Sequence, residues 1–395
     1  MPDIQVLRYT IPFILPLVLL GVFVFRTYNT ANYTDYMGTG VVEGTILKHP
    51  YIKNGRQAFQ VGNLTVMTGL YPKYKLGDMI RVITNEDKAV LGIVYYPHLE
   101  VTGHIGFLNK ISDFRDRIIR KIQKLLPEPH ADLVLGMTIG HKDDVPSSFN
   151  EMLKKVGIIH VVVVSGYNVS LVLTLVGIIL IRLGRAVFFA GSIIVLFVFL
   201  LIAGLDPPII RAVIMGSIST LALVLGEYKR TLYLLILSAF MMLAVNPRYI
   251  SDISFQMTFM ATMTVVLVSP LARGLPVVLQ ETLIIFSVNI AMIPLISYYF
   301  GSFSLLGLVS NILLLWEVPF ITVLGIVLMI SPFAMIKIVL IALLDYFLLI
   351  CEAVDKLNFG VFQYQMNLPA IMVYYFVFTF VLRVLYLVKA DSTET

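Results

Sequence analysis

The sequence predicts a polytopic α-helical membrane protein of about ten transmembrane helices, with a small extracytoplasmic β-barrel of OB-like type after the first helix. Three observations carry this. Of the 395 residues 58% are hydrophobic and 13% charged, at a mean hydropathy of +0.89, which lies outside the range of soluble globular chains. From Gly157 onward, apolar segments near the length a bilayer requires follow one another. Before them, residues 37–97 break into short alternating runs punctuated by Gly, Pro and Asn, a strand pattern.

Residues 1–28 read as a membrane anchor. The apolar segment Ile11–Phe25 is followed by Arg26 and Tyr28, an interfacial border, and no small-x-small cleavage site follows it. Pro12 and Pro16 fall in its first turns, where a missing backbone donor costs least.

Strands are expected over Val41–Leu47, Ala58–Gly62, Asn63–Met67, Met79–Thr84 and Val90–Val94, with breaks at His49-Pro50, Asn54-Gly55, Tyr71-Pro72 and Leu76-Gly77-Asp78. Such small barrels bind single-stranded nucleic acid with basic and aromatic side chains. Lys48, Lys53, Arg56, Lys73, Lys75 and Arg81, beside Tyr51, Phe59, Tyr71 and Tyr74, suit that use. A solvated basic face on a structural domain accounts for them equally well.

Residues 105–156 form a helical connector. Ile105–Leu126 places Ile105, Leu108, Ile111, Ile118, Ile122 and Leu125 at helical spacing between Lys110, Arg115, Arg117, Arg120, Lys121 and Lys124. A basic amphipathic helix of this kind lies on a membrane surface or meets a polyanion, and its junction with a span-rich region favours the membrane. A shorter helix is expected over Pro129–Thr138, and Ser147 or Ser148 caps another that ends near Val156.

Residues 157–390 make the transmembrane domain, with spans at Ile158–Leu183, Ala186–Ala203, Ile209–Leu225, Thr231–Val245, Ile253–Val268, Val277–Phe300, Phe303–Ile330, Met335–Cys351 and Ala370–Val388. Arg182, Arg185, Lys229, Arg230, Arg273, Lys337, Arg383 and Lys389 fall on one side of these spans, while Asp206, Arg248, Asp252, Asp355 and Lys356 fall on the other. The positive-inside rule then puts both termini in the cytoplasm and the barrel outside.

Polar residues inside this bundle are the functional pointers, because a charge or an interrupted backbone at membrane depth faces a cavity or a partner. Gly157–Val172, GIIHVVVVSGYNVSLV, carries His160, Ser165, Gly166, Tyr167 and Asn168 where a lipid-facing helix carries Leu or Val. Close helix packing through small residues is the structural alternative. The others are Arg211, Asp252, Gln256, Asn289, Asn311 and Glu317. Arg211 admits two readings, a local pair with Asp206 or a positive group facing an anionic substrate. Glu317, after Trp316 and before Pro319, marks a helix break, with Asn311 two turns earlier. Such breaks surround substrate sites in transporters.

Several chemistries are excluded. The lone Cys351 rules out an internal disulfide or a cysteine metal cluster, and the six histidines lack a ligand-like spacing, so neither metal nor cofactor is expected. Ser165 and His160, five apart, do not share a helix face, which argues against a serine hydrolase. No Gly-rich phosphate loop occurs.

Four blocks in order resemble the ComEC competence family. They are LVLGMTIGHKDDVPSSFNEMLKKVGIIHVVVVSGYNVSLV at Leu133–Val172, Pro207-Pro208 through Arg211-Ala212 to Met215, Asn246-Pro247 through Asp252, Ser254, Phe255 and Gln256, and Ile293-Pro294 through Tyr299-Phe300 and Asn311 to Pro319. Thr258 stands where the family usually has Ser. The resemblance runs from about Leu133 to Leu328, with a weaker likeness of the barrel to the family's N-terminal domain. It implies a multi-pass bacterial cytoplasmic-membrane protein that conducts single-stranded transforming DNA inward. Its expected partners are single-stranded DNA, membrane lipid, a separate DNA receptor, a cytoplasmic ATPase or helicase, and a nuclease. Many relatives carry a metallo-beta-lactamase-like domain. No H-x-H-x-D-H motif occurs here, so this chain is expected to lack nuclease activity. A small-molecule or lipid transporter would fit the broken helices without explaining the basic barrel, and a DNA-binding receptor subunit would use the barrel alone.

Overall fold

The computed structural model describes residues 41–394 apart from 54, 63, 84–88, 91–92, 142–146, 163–165, 226–230, 246 and 358–360. The anchor at 1–28 lies outside the described residues, as does Ser165.

Eight strands precede the helices: β1 (Val41–Thr45), β2 (Tyr51–Lys53), β3 (Arg56–Val61), β4 (Leu64–Thr68), β5 (Asp78–Ile83), β6 (Ala89–Val90), β7 (Ile93–Tyr95) and β8 (His98–His104). They form two open sheets, β1-β5-β8 and β2-β3-β4-β7-β6. Both sheets turn apolar faces onto one core of Ile46, Phe59, Val61, Val66, Tyr74, Ile80 and Val82, as the alternation of β5 requires. The barrel expected from the sequence does not close. Among the described residues one bridge, Ile46 to Val61, joins the sheets. The chain turns away directly after it at His49-Pro50, where proline offers no N–H to extend a ladder. Strands β2 and β8 had no sequence signal strong enough to mark them. The run read as Val90–Val94 is two strands, β6 and β7.

The helices follow as α1 (Gly106–Leu125), α2 (His130–Ile139), α3 (Ser147–Val156), α4 (Ile159–Val162), α5 (Gly166–Leu180), α6 (Arg185–Ala203), α7 (Pro207–Leu225), α8 (Thr231–Val245), α9 (Ile253–Ala272) and α10 (Val277–Phe300). After β9 (Ser302–Ser304) come α11 (Leu306–Leu314), α12 (Val318–Ile330) and α13 (Ala334–Asp355), then β10 (Val361–Gln363), which pairs with β9, and α14 (Leu368–Glu394).

Of the ten spans expected, the first lies outside the described residues, and among those described five helices are long and apolar enough to cross a bilayer: α9, α10, α13 and segments of α6 and α14. The pair α11–α12, bent by 52° at its break, makes a sixth when taken as one span. α2 and much of α5, α7 and α8 are apolar but shorter. The break falls at Leu315–Glu317, just before Pro319, as the sequence predicts.

The largest core draws on α1, α2, α3, α4, α11, α12 and α13, and α2 is its centre, with nine of its ten residues buried. Its Gly136 lies directly beneath the Val162 carbonyl, with no room for a Cβ. A second core joins α5, α6 and α7 through Val169, Leu196, Ala203, Ile209 and Ala212.

α1 is amphipathic as expected, and its cations bind helix ends rather than solvent alone. Arg115 Nε donates to the Ile202 carbonyl at 3.0 Å, and Lys121 Nζ to the Met329 carbonyl at 2.7 Å. Both acceptors lie in last turns, where unsatisfied carbonyls and the helix dipole favour a cation. Strict alternation of spans puts Ala203 and Ile330 on opposite faces of the membrane. Here both ends meet one helix at positions about 9 Å apart along its axis.

The β sheets sit against the same end of α6. His49 Nε2 donates to the Leu201 carbonyl at 2.9 Å, and Lys48 lies 3.9 Å from Asp206. Burial, with the Arg115 charge second, holds the His49 imidazole down at about 4. Since the unfolded chain binds that proton near 6.5, stability supplied by neutral His49 is complete above pH 6.5 and is lost as pH falls toward 4. The purified chain is expected to unfold at progressively lower temperature between pH 6.5 and 4. His49→Gln should flatten that slope; an unchanged slope would exclude this contact as its source.

Candidate functional site

The intramembrane candidates occupy a succession of helix contacts. Gly166, first residue of α5, packs against the guanidinium of Arg211 on α7, leaving no space for a Cβ. Arg211 is 9% exposed. Its Nη1 donates to Thr262 Oγ1 on α9 at 2.6 Å and lies 3.6 Å from Met215 Sδ. The guanidinium also stands 5.9 Å from the centre of the Phe259 ring. Asp206 is not its partner. Asp206 reaches outward to Lys48 instead, so the local pair allowed by the sequence does not form. A buried arginine is thus held by a hydroxyl, a thioether and a ring, none of which carries a negative charge.

Asn168, on α5, is fully buried and donates from Nδ2 to the Met137 carbonyl of α2 at 2.7 Å. Gln256 receives the Tyr299 hydroxyl at 2.8 Å and donates to the Ile250 carbonyl, which ties α9 to α10. Asn311 Nδ2 donates to Asn289 Oδ1 at 2.9 Å, which ties α11 to α10. Asp252 caps α9 by accepting from the Phe255 N–H at 2.9 Å, an ordinary structural role. Glu317, at the α11–α12 break, is fully buried. His160 and Tyr167 lie in α4 and α5; their side chains, like Ser165, are outside what is described.

These residues do not converge on one point. What unites them is unmet hydrogen-bonding capacity. Asn168 Oδ1, Arg211 Nε, Asn311 Oδ1 and both Glu317 carboxylate oxygens are buried without a partner among the described residues. Buried polar atoms in folded proteins are nearly always bonded, so each such atom points to water, an ion or a ligand.

The outer basic candidates divide by charge balance. Lys75 pairs with Asp113 at 2.6 Å, Arg81 with Glu43 at 2.5 Å and with Glu100 at 3.4 Å, and Lys48 with Asp206. Arg56 and Lys73 hold no carboxylate among the described residues, and the side chain of Lys53 lies outside them. Arg56 instead stands over the rings of Tyr95 and Tyr96, at 6.0 and 5.3 Å. The register aligns Gln57 with Thr68 and Met67 with Tyr95, which gathers Arg56, Tyr95, Tyr96 and the segment leading to Tyr71 and Lys73 at one end of the larger sheet. Tyr71 is 81% exposed and Tyr96 51%.

Sequence reasoning missed Thr262 and the Tyr95–Tyr96 pair, because neither a lone helical threonine nor two strand-end tyrosines stand out from their neighbours. It also missed His130 of α2, whose Nε2 lies 2.8 Å from Asp345 Oδ1 halfway along α13. A charged residue midway in an apolar helix was a readable signal there.

Residues 137–388 match the Competence protein family. The chain is similar to ComE operon protein 3 of Bacillus subtilis (strain 168), with 26% identity over 220 residues. That alignment covers 55% of this chain and 28% of the relative, so it spans less than a third of the relative's length. No solved structure matches this chain.

Proposed function

Because this chain belongs to the competence protein family, we propose that it serves DNA uptake in competence, as the bundle through which a single strand crosses the cytoplasmic membrane. The observation that carries the proposal is Arg211, a buried cation inside the bundle with no carboxylate to neutralise it among the described residues. A charge so placed is costly unless it meets a counter-charge, and a passing phosphodiester supplies one. Elsewhere in the bundle, the unmet groups of Asn168 and Asn311 suit a hydrated, protein-lined path, the one setting in which polar backbone and side chains are tolerated at membrane depth.

In this reading the chain divides as the sequence suggests, with an anchor at 1–28, an outward β domain at 37–97, an interfacial connector at 105–156 and the transmembrane domain at 157–390. The β domain collects the strand. Arg56, Tyr95 and Tyr96, with Tyr71 and Lys73, combine stacking surfaces with positive charge that no carboxylate among the described residues compensates, the combination used by sequence-tolerant single-strand binders. Lys48, Lys75 and Arg81 keep the domain together and on the bundle. A separate receptor, a cytoplasmic motor and a nuclease would complete the pathway.

The testing experiment is uptake of labelled DNA into cells lacking their own channel, with every other uptake component supplied. Internalisation that depends on this chain supports the proposal, and its absence returns the chain to the receptor or small-molecule transporter class. The outer surface is tested separately. Arg56→Ala with Tyr96→Ala is expected to weaken single-stranded DNA binding by the detergent-purified chain by about 10- to 100-fold, from about 1–3 kcal/mol per stacked base. Lys75→Ala should leave it within about threefold, since that ammonium is already paired. Equal losses in the two variants would refute this assignment of the surface.

A further inference from the structure

Glu317 is unlike the other polar groups of the bundle. It lies between α11 and α12, a pair apolar enough to be a membrane span, and has no accessible surface. Neither carboxylate oxygen has a hydrogen-bond donor among the described residues, not even the first N–H groups of α12. Trp316 next to it points the other way, half exposed, and is fixed by edge contacts to Phe320 and Tyr346. That anchoring commits residue 317 to the interior, within the core that includes Leu314, Val318, Ile321 and Cys351.

The break adds a second acceptor. Residue 319 is proline, so the Leu315 carbonyl has no N–H four residues ahead of it. The C-terminal, negative end of α11 is therefore followed within three residues by a carbonyl without its helical N–H and by an acidic side chain. Cys351 of α13 is a titratable group in the core packed against the break. His130 of α2 is taken up by Asp345, and Lys155 of α3 by Asp355. No basic side chain reaches the carboxylate among the described residues. A negative group and a loose carbonyl in an apolar core make a receptor for positive charge, and half-helix ends with unwound carbonyls hold such ions in transporters.

We propose that Glu317 and the Leu315 carbonyl form a binding site for one monovalent cation, a proton or an alkali-metal ion, at the broken α11–α12 pair. Under the DNA-uptake reading, this is where translocation meets an ion gradient. The site itself does not depend on that reading.

The test uses the purified full chain in lipid nanodiscs and no DNA, so its failure is separate from failure of the uptake proposal. Infrared difference spectra are recorded while pH, or sodium at fixed pH, is varied. The expected result is one carboxyl signal that responds to the cation and is lost completely in Glu317→Gln. A protonated-acid band indifferent to sodium identifies the proton, and its conversion to carboxylate by sodium identifies the metal ion. A spectrum that Glu317→Gln leaves unchanged overturns the proposal. Should that variant not fold, Cys351→Ala, which alters the core packed against the break, is expected to shift the same band, and an unshifted band overturns it equally.

Discussion

Cells that depend on this chain for DNA uptake are expected to internalise almost nothing when it carries Arg211→Glu, while DNA still binds at their surface. The wild-type guanidinium is buried and meets Thr262, Met215 and Phe259, so nothing among the described residues around it competes with a phosphate for its charge. Removing the charge with Arg211→Gln deletes a charge-assisted hydrogen bond of about 1.5–3 kcal/mol, about a 10- to 100-fold loss of transport rate. Reversing it sets a carboxylate against the strand, and the loss should be deeper. Arg211→Lys keeps the charge but not the forked geometry, so it should retain an intermediate rate. The series is read at matched membrane abundance, by internalised against surface-bound label. If all three variants transport normally, Arg211 is not part of the path. If they merely fail to accumulate, its role is to hold α7 on α9.

Gly157→Ala is expected to deprive the cell of folded protein. Gly157 ends α3 with φ +79, and its N–H closes on the Lys154 carbonyl, a left-handed turn that glycine adopts freely. An added Cβ would also lie 2.6 Å from the Cα of Gly307, where α11 begins. The backbone conformation costs about 1–2 kcal/mol for an L-residue and the overlap about 1–3 kcal/mol. Together they reach a large fraction of the ~5–15 kcal/mol that holds a typical domain folded. Gly307→Ala is the contrast, because its Cβ would stand 3.3 Å from Gly157 without a left-handed φ. The yield and unfolding temperature of detergent-extracted protein should fall far more for Gly157→Ala. Equal behaviour of the two variants would show that this crossing is slack.

Much of the site was legible before the fold. Asn168, Arg211, Asn311 and Glu317, which carry unmet buried atoms, are each visible in the sequence as a polar group in an apolar run, whereas Asn109, His130 and Ser192, which carry them too, were not singled out. Detection needs only the cost of such a group at membrane depth, which is a property of its local surroundings. The amphipathic α1 and the break before Pro319 were readable for the same reason, since periodicity and a missing N–H are local facts. The number of crossings was less legible. α5, α7 and α8 are apolar but short, and the hydropathy of a segment does not state how the bent α11–α12 pair runs.

What the sequence by itself determined, then, is which segments leave water, which residues resist doing so and where one helix must break. Only the tertiary structure decided their partners. Arg211 passes over Asp206, five residues away, for Thr262, fifty-one residues on, and Arg115 and Lys121 reach carbonyls 87 and 208 residues distant. Local chemistry makes a buried polar group expensive, but which group relieves it depends on which helix ends and faces the packed cores bring within hydrogen-bond reach.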